Sequence, residues 1–130
     1  MHNKIMNKLF RFLPALSWML IIFYLSSQPT TGITGTRTER FLILKSFHLI
    51  EYAVLALLLF FAFFKYRYTI ISAYLYALTD ELHQSFIPGR EGRLRDTFID
   101  LLGIFIGIVL IKLLIRIKNF KKVVSFPKIS

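Results

Sequence analysis

Four apolar stretches dominate this chain, and the second, third and fourth reach spanning length only by taking in charged residues. Phe12 to Ser27 holds no charged residue and follows directly on Arg11. A helix needs about 20 mostly apolar residues to cross the hydrocarbon core of a bilayer. The second stretch, Tyr52 to Phe64, is too short to span at about 1.5 Å per residue. Its helix must therefore reach back through Glu51 and His48 to about Ser46. The third, Tyr68 to Thr79, must run on through Asp80, Glu81, His83 and Gln84. The fourth extends from about Asp96 to Ile115, with Asp100 near its start and Lys112 near its end. Lys112 and Arg116 can snorkel to the interface, but carboxylates and imidazoles have a shorter reach.

Composition supports a membrane setting. Of 130 residues 55% are hydrophobic and 14 are Phe, and mean hydropathy is +0.59. A chain of this length forms one domain. The absence of cysteine excludes disulfides, zinc–thiolate sites and thiol catalysis. The net charge of +10 does not read as nucleic-acid binding. A nucleic-acid binder carries its basic residues on a water-facing surface, whereas here they fall at the ends of the apolar stretches.

The expected fold is all-α: a polytopic bundle of four transmembrane helices, with a basic N-terminus over 1–11, a membrane domain over 12–115 and a basic tail over 116–130. With four spans, both termini and the Lys65–Tyr68 turn share one side. That side holds Lys4, Lys8, Arg11, Lys65, Arg67, Lys112, Arg116, Lys118, Lys121, Lys122 and Lys128 and no acid. All seven acids, Glu39, Glu51, Asp80, Glu81, Glu91, Asp96 and Asp100, fall on the other side or the adjoining helix ends. The excess of Lys and Arg then places both termini in the cytoplasm. Leu25-Ser26-Ser27 is a poor cleavage site for a signal peptide, so the first helix reads as an uncleaved anchor.

Three helices bring ionisable groups to one membrane depth. Lys45, His48 and Tyr52 share a face of the second, with Glu51 beside them. Asp80, His83 and Gln84 share a face of the third, next to Glu81. Asp96 and Asp100 stand one turn apart at the start of the fourth. Ser27 and Gln28 end the first helix at the same level, and the turn Ile87-Pro88-Gly89-Arg90-Glu91-Gly92-Arg93 is glycine-rich and basic. Lipid cannot solvate such groups, so they should face the bundle interior or a wet cavity. Histidines beside carboxylates supply a general base and its orienting partner: His48 or His83 with Asp80 or Glu81. The same nitrogens and oxygens suit a divalent metal, although neither His48-x-x-Glu51 nor Glu81-x-His83 is a specific metal motif. Arg90 can clamp a phosphate or carboxylate in two-pronged fashion. The N-termini of the second and fourth helices add positive dipole ends. Gln28, Lys45, Glu51, Tyr52, Gln84, Arg90, Asp96 and Asp100 are the expected ligand-binding set, and the phosphate of an outer-leaflet lipid head group fits it.

Plain structural roles stand beside these. Asp96 and Asp100 begin a helix, where acids are favourable in any protein. His48 with Glu51 can serve as a buried pair that fixes register, and Asp80, Glu81 and His83 can lie at the interface in contact with water. Arg93 and Arg95 read as solvated loop charges, and Trp18, Tyr24, Tyr66 and Tyr68 as packing or interfacial anchors. Gly103 and Gly107 form a G-x-x-x-G that suits close helix packing. The Lys118–Lys122 tail reads as a segment for anionic lipid.

Together, Lys45-x-x-His48-x-x-x-Tyr52, Asp80-Glu81-x-His83-Gln84, Pro88-Gly89-Arg90, Asp96 and Asp100-x-x-Gly103-x-x-x-Gly107 resemble the VanZ-like membrane proteins, and Ser26-Ser27-Gln28 fits the same pattern. The resemblance covers roughly Leu13 to Leu110. Asp100 departs from it, standing where many members carry Asn. The resemblance implies a bacterial plasma-membrane protein with a cell-envelope role. The family's founding member is linked to teicoplanin resistance by a route not tied to altered peptidoglycan precursors. The implied partners are membrane lipid, a lipid-linked envelope precursor or an amphiphilic antibiotic. It names no reaction and no cofactor. Two functions follow as expectations: a ligand-binding envelope protein, or a small intramembrane hydrolase or transferase acting on a lipid head group. A proton-coupled transporter is disfavoured by the absence of an inverted repeat. A purely structural role is disfavoured by the cost of keeping so many ionisable groups at membrane depth.

Overall fold

The computed structural model describes residues 2–117, with side chains from Ile5 onward. Helix α1 (His2–Phe10) turns at Arg11 and Phe12 into α2 (Leu13–Ser26), which begins with Pro14 in its first turn, where a missing N–H leaves no bond unmade. Then come α3 (Arg37–Phe63), α4 (Tyr66–Gln84), a short 3₁₀ turn (Leu94–Asp96) and α5 (Thr97–Arg116). Among the described residues there is no strand, and α2 to α5 make the expected four-helix bundle. The basic Lys118–Lys122 segment lies outside the described residues.

Two boundaries differ from the sequence reading. Residues His2–Phe10 are helical, although the N-terminus carried no expected element. More consequential, α3 starts at Arg37 and not near Ser46. A capping box explains the extra turns: Thr36 Oγ1 accepts from the Glu39 N–H at 3.2 Å, and the Thr36 N–H donates to Glu39 Oε2 at 2.8 Å. Thr36→Ala should lower bundle stability by about 1 kcal/mol and fray α3 back toward Lys45, as read by amide hydrogen exchange over 37–45. Protection unchanged across that segment would mean that the box does not hold the helix start.

Helix α3 packs against α2, α4 and α5, and α4 against α2 and α5, so α3 and α4 form the middle of the bundle. The closest approach is between α3 and α5. A Cβ at Gly103 would stand 2.6 Å from the Leu49 carbonyl oxygen, and one at Gly107 2.6 Å from that of Ala53. The G-x-x-x-G thus works as expected, as a flat strip on which α3 rests backbone to backbone. Tyr52, Leu55, Ala56, Leu59, Ala73, Ala77 and Ile104 fill the core with Ala15 and Ile22 of α2. The outside is apolar as well: Leu20, Ile50, Leu75, Phe98 and Val109 are all more than half exposed. That shell is far larger than the patches a soluble monomer leaves in water. Three helical segments, Ile5–Ser26, Arg37–Phe63 and Leu94–Arg116, are long and apolar enough to cross a membrane. Helix α4, with Asp80 and Glu81 at one end, does not meet that composition. It sits against α2, α3 and α5, and turns those acids inward.

Candidate functional site

The residues facing inward at one end of the bundle are polar. On α4 the buried arc is Ala73, Ala77, Asp80, Glu81 and Gln84, at helical spacings of three and four. On α3 it is Lys45, His48, Glu51 and Tyr52, and on the start of α5 Asp96, Thr97 and Asp100. Lys45 Nζ donates to Glu81 Oε1 at 2.9 Å and lies 3.4 Å from Asp96 Oδ2. Glu81 Oε2 accepts from the Arg93 N–H at 3.2 Å, so the carboxylate ties α3 to the chain entering α5. His48 Nδ1 stands 3.2 Å from Asp100 Oδ1 and 3.9 Å from Glu51 Oε2. Gln84 Nε2 donates to Asp80 Oδ2 at 2.9 Å, and lies 3.3 Å from His48 Nε2 and 3.4 Å from Ser26 Oγ. The Tyr52 hydroxyl donates to Asp80 Oδ2 at 3.4 Å. The structure therefore joins Lys45, His48, Glu51, Tyr52, Asp80, Glu81, Gln84, Asp96 and Asp100 in one buried network.

His83 and Gln28 lie apart from it. His83 is half-buried on the α2 side of α4, stacked on Phe23 with ring centroids 4.3 Å apart and with Nε2 3.4 Å from Ser27 Oγ. It borders neither of the two cavities described below. The reason is angular: residues 80, 81 and 84 take the inward arc, which leaves 83 turned toward α2. Gln28 is exposed. Its side chain folds back to the Tyr24 carbonyl at 3.1 Å, its backbone carbonyl accepts from Arg90, and the residue borders the smaller of the two cavities.

Arg90 takes that carbonyl. Its Nε donates to Gln28 O at 3.0 Å, Nη2 to Leu25 O at 2.8 Å and Nη1 to Gln84 Oε1 at 3.4 Å. The guanidinium thus caps the C-terminal end of α2, where unpaired carbonyls favour a cation, and keeps two N–H groups in reserve. Burial lowers its pKa, and the nearby carboxylates of Asp80, Glu51 and Glu81 offset only part of that. Gly89 sets this side chain in place. Its φ of +80° suits glycine, and its carbonyl accepts from Thr30 Oγ1 at 2.6 Å, fastening the loop to the segment after α2.

Two cavities meet at His48. The larger, about 820 Å³, has Arg37, Arg40, Lys45, Arg90, Arg93 and Arg95 in its walls against Glu91 and Asp96 alone. Arg37 Nη2 lies 2.6 Å from Glu91 Oε1, and Arg93 pairs with Oε2 of the same carboxylate. The Arg37 hydrogen bond, with Arg37 and Arg93 as neighbouring charges, lowers the Glu91 pKa. Among the described residues Arg40 pairs with no acid. The smaller cavity, about 250 Å³, is walled by Leu25, Pro29, Ile33, Leu44 and Phe47 on one side and by His48, Glu51 and Arg90 on the other. Arg37 and Arg40 were not among the expected site residues. They follow from the longer α3, because 37, 40, 44, 45 and 48 lie on one helical face. Trp18 proves more than an anchor: its Nε1 donates to the Glu51 carbonyl at 2.9 Å, which holds α2 against the site. His48, Glu81 and Asp100 each offer one ligand atom, all within 4.8 Å of one another.

No curated protein and no solved structure gives a significant match to this chain. A family model does, over residues 10–116, a stretch that takes in the whole bundle and every residue of the buried network. With its apolar shell and its inward-facing acids, this membrane protein belongs to the VanZ/LLP1 family.

Proposed function

We propose that this chain is a multi-pass protein of the bacterial plasma membrane, with both termini in the cytoplasm, that binds the anionic head group of an envelope amphiphile at its outer face. The supporting observation is the cavity of about 820 Å³, with six basic side chains against two acidic ones, leading down to His48. Fixed cations in a partly enclosed cleft raise the local concentration of an anion. The smaller, largely apolar cavity next to it suits the first carbons of a lipid tail. A membrane lipid, a lipid-linked precursor and an amphiphilic antibiotic of the teicoplanin kind all combine these two parts. Orientation rests on the basic residues gathered at the opposite end of the bundle, around Arg11, Lys65, Arg67, Lys112 and Arg116.

A second reading, a small hydrolase or transferase working on that head group, is favoured by the 3.2 Å between His48 Nδ1 and Asp100 Oδ1. A neutral His48 with its proton on Nδ1 points it at Asp100 and leaves Nε2 as the base. Asp100 then does the orienting that the sequence reading gave to Asp80 or Glu81.

Complementation of a deletion strain under lipoglycopeptide or envelope stress tests the site. His48→Ala and Asp80→Asn should fail to restore growth at normal membrane levels, while His83→Ala restores it. Full activity of His48→Ala and Asp80→Asn would make the network structural and sink both readings. Head-group binding is tested with the purified protein in nanodiscs and a short-chain phospholipid. Arg40→Ala should weaken affinity roughly tenfold, the scale of one hydrogen bond to a charged group. The same loss with a zwitterionic ligand as with an anionic one would count against charge recognition.

A further inference from the structure

The buried network carries more negative charge than its own cations balance. Glu51, Asp80, Glu81, Asp96 and Asp100 are all less than a tenth exposed, five carboxylates in one buried end of the bundle. Their permanent cationic neighbours are Lys45, Arg90 and the exposed Arg95, 3.9 Å from Asp96, which leaves a formal surplus of two negative charges. Lys45 is occupied with Glu81 and Asp96. Arg90 delivers its N–H groups to two backbone carbonyls and an amide oxygen, and to no carboxylate. A second observation is independent of the count. Oδ2 of Asp100, which is 0% exposed, and Oδ1 of Asp80 have no hydrogen-bond partner, and Oδ1 of Asp100 has only Nδ1 of His48, at 3.2 Å. Buried carboxylate oxygens without a donor are costly, more so for charged groups than for neutral ones. These are metal-ligand atoms around His48 and Asp100; among the described residues Nδ1 of His83 also lacks a partner, on the α2 side of α4.

We propose that His48, Glu81 and Asp100 hold a divalent transition-metal ion beside the basic cavity, which His48 borders. The donors are one ring nitrogen of His48 and one carboxylate oxygen from each acid. Those atoms lie within 4.8 Å of one another. In a loaded site, ligands roughly 2.1 Å from a shared ion stand about 3 to 4 Å apart, so the side chains need to close by roughly 1 Å. Two carboxylates and one imidazole select ions of the zinc or manganese class over calcium and magnesium, which prefer oxygen alone. A divalent ion cancels the formal surplus of two negative charges, so Lys45 keeps its place beside Asp96 when Glu81 turns an oxygen to the metal. Of the three, His48 borders that cavity, so an ion here would add positive charge beside the six basic residues that line it.

The site depends on the charge of Asp100, because an amide in its place would be a weaker, neutral ligand. It is also separate from the head-group reading, since it can be measured with no lipid ligand present. The test uses the full chain, purified in detergent without chelators and with any affinity tag removed. The protein is incubated with zinc or manganese, desalted and analysed for bound metal by mass spectrometry. Wild type should retain about one equivalent of one ion, and His48→Ala and Asp100→Asn should weaken retention by roughly 100-fold or more, since even outer-shell changes cost 10- to 100-fold. His83→Ala, on the far side of α4, should retain the ion as wild type does. The helical melting transition of wild type should rise with metal and fall back when chelator is added. Wild type that stays far below one equivalent after loading overturns the proposal. So does an Asp100→Asn protein that binds as much as wild type. If the variants do not purify as folded protein, the melt decides: no shift of the wild-type transition with either metal overturns it too. A metal-free result leaves head-group binding standing, and a lipid-binding failure leaves the metal site standing.

Discussion

Gly103→Leu is expected to prevent the bundle from assembling. A Cβ at Gly103 would lie 2.6 Å from the Leu49 carbonyl oxygen, 3.1 Å from the Leu49 Cα and 3.2 Å from the Tyr52 Cβ. Two of these three atoms are backbone, and backbone cannot step aside as the end of a flexible side chain does. The only relief is to move α5 away from α3. Overpacked core substitutions cost about 1 to 3 kcal/mol even where side chains absorb the strain, so a backbone-limited clash belongs at the top of that range or above. The same movement would break the site, because His48 precedes Leu49 on α3 and Asp100 lies three residues before Gly103 on α5. Membrane levels of Gly103→Leu should therefore collapse, and Gly103→Ala should lose a smaller part of its thermal stability in detergent. Gly103→Leu that accumulates and melts like wild type would show that α3 and α5 do not meet at this strip.

Much of this arrangement was legible because lipid removes choices. A span must be long enough, and where the charge-free run was too short the ionisable residues had to be inside it. That logic placed Lys45, His48, Glu51, Asp80, Glu81, Gln84 and Asp100 at one depth, and the bundle puts them there. Helical spacing did the rest for α3, where Lys45, His48 and Tyr52 share the buried face. On α4 it was insufficient. Spacing groups Asp80, His83 and Gln84 as readily as Asp80, Glu81 and Gln84, and only the positions of α2 and α5 decide which trio faces inward. The partners across helices were likewise not readable: that His48 meets Asp100, or Lys45 meets Glu81, depends on rotations that no single helix encodes.

The start of α3 carries its own signal. Thr36-x-x-Glu39 is a capping box just ahead of a helical run, but minimum apolar length constrains only the part of a helix inside the membrane, from about Ser46. Arg37 and Arg40 line the basic cavity, and their relation to Lys45 and His48 appears only when the helix is drawn from its cap. Arg90 is a different kind of case. Its residue type and its glycine neighbour suggested an anion clamp, yet three of its donors hold the end of α2 and the Gln84 amide. A sequence shows that an arginine is available, but not how many of its N–H groups the fold has already taken.

Lys45→Met should be among the most damaging single substitutions in this chain, and adding Glu81→Leu should restore a large part of the loss. In the single variant the Glu81 carboxylate, 1% exposed, loses the ammonium at 2.9 Å, and Asp96 loses its partner at 3.4 Å. Removing one member of a buried ion pair costs about 3 to 5 kcal/mol, because a buried charge remains without compensation. Deleting both members leaves two apolar side chains of similar volume and frees the Arg93 N–H that Glu81 accepts from. Such replacements are often neutral, so the pair itself adds little net stability even though each half depends on the other. Recovery should stop short of complete, since Asp96 stays buried. Its place at the start of α5, with Arg95 Nε 3.9 Å away, makes the remaining charge tolerable. Unfolding in mixed micelles of wild type, both single variants and the double variant measures the coupling directly. Strict additivity, with the double variant losing the sum of the two single losses, would mean that Lys45 and Glu81 do not form a pair. Rescue without restored growth under envelope stress would separate the two roles of the pair: the fold needs the charges matched, and the site needs them present.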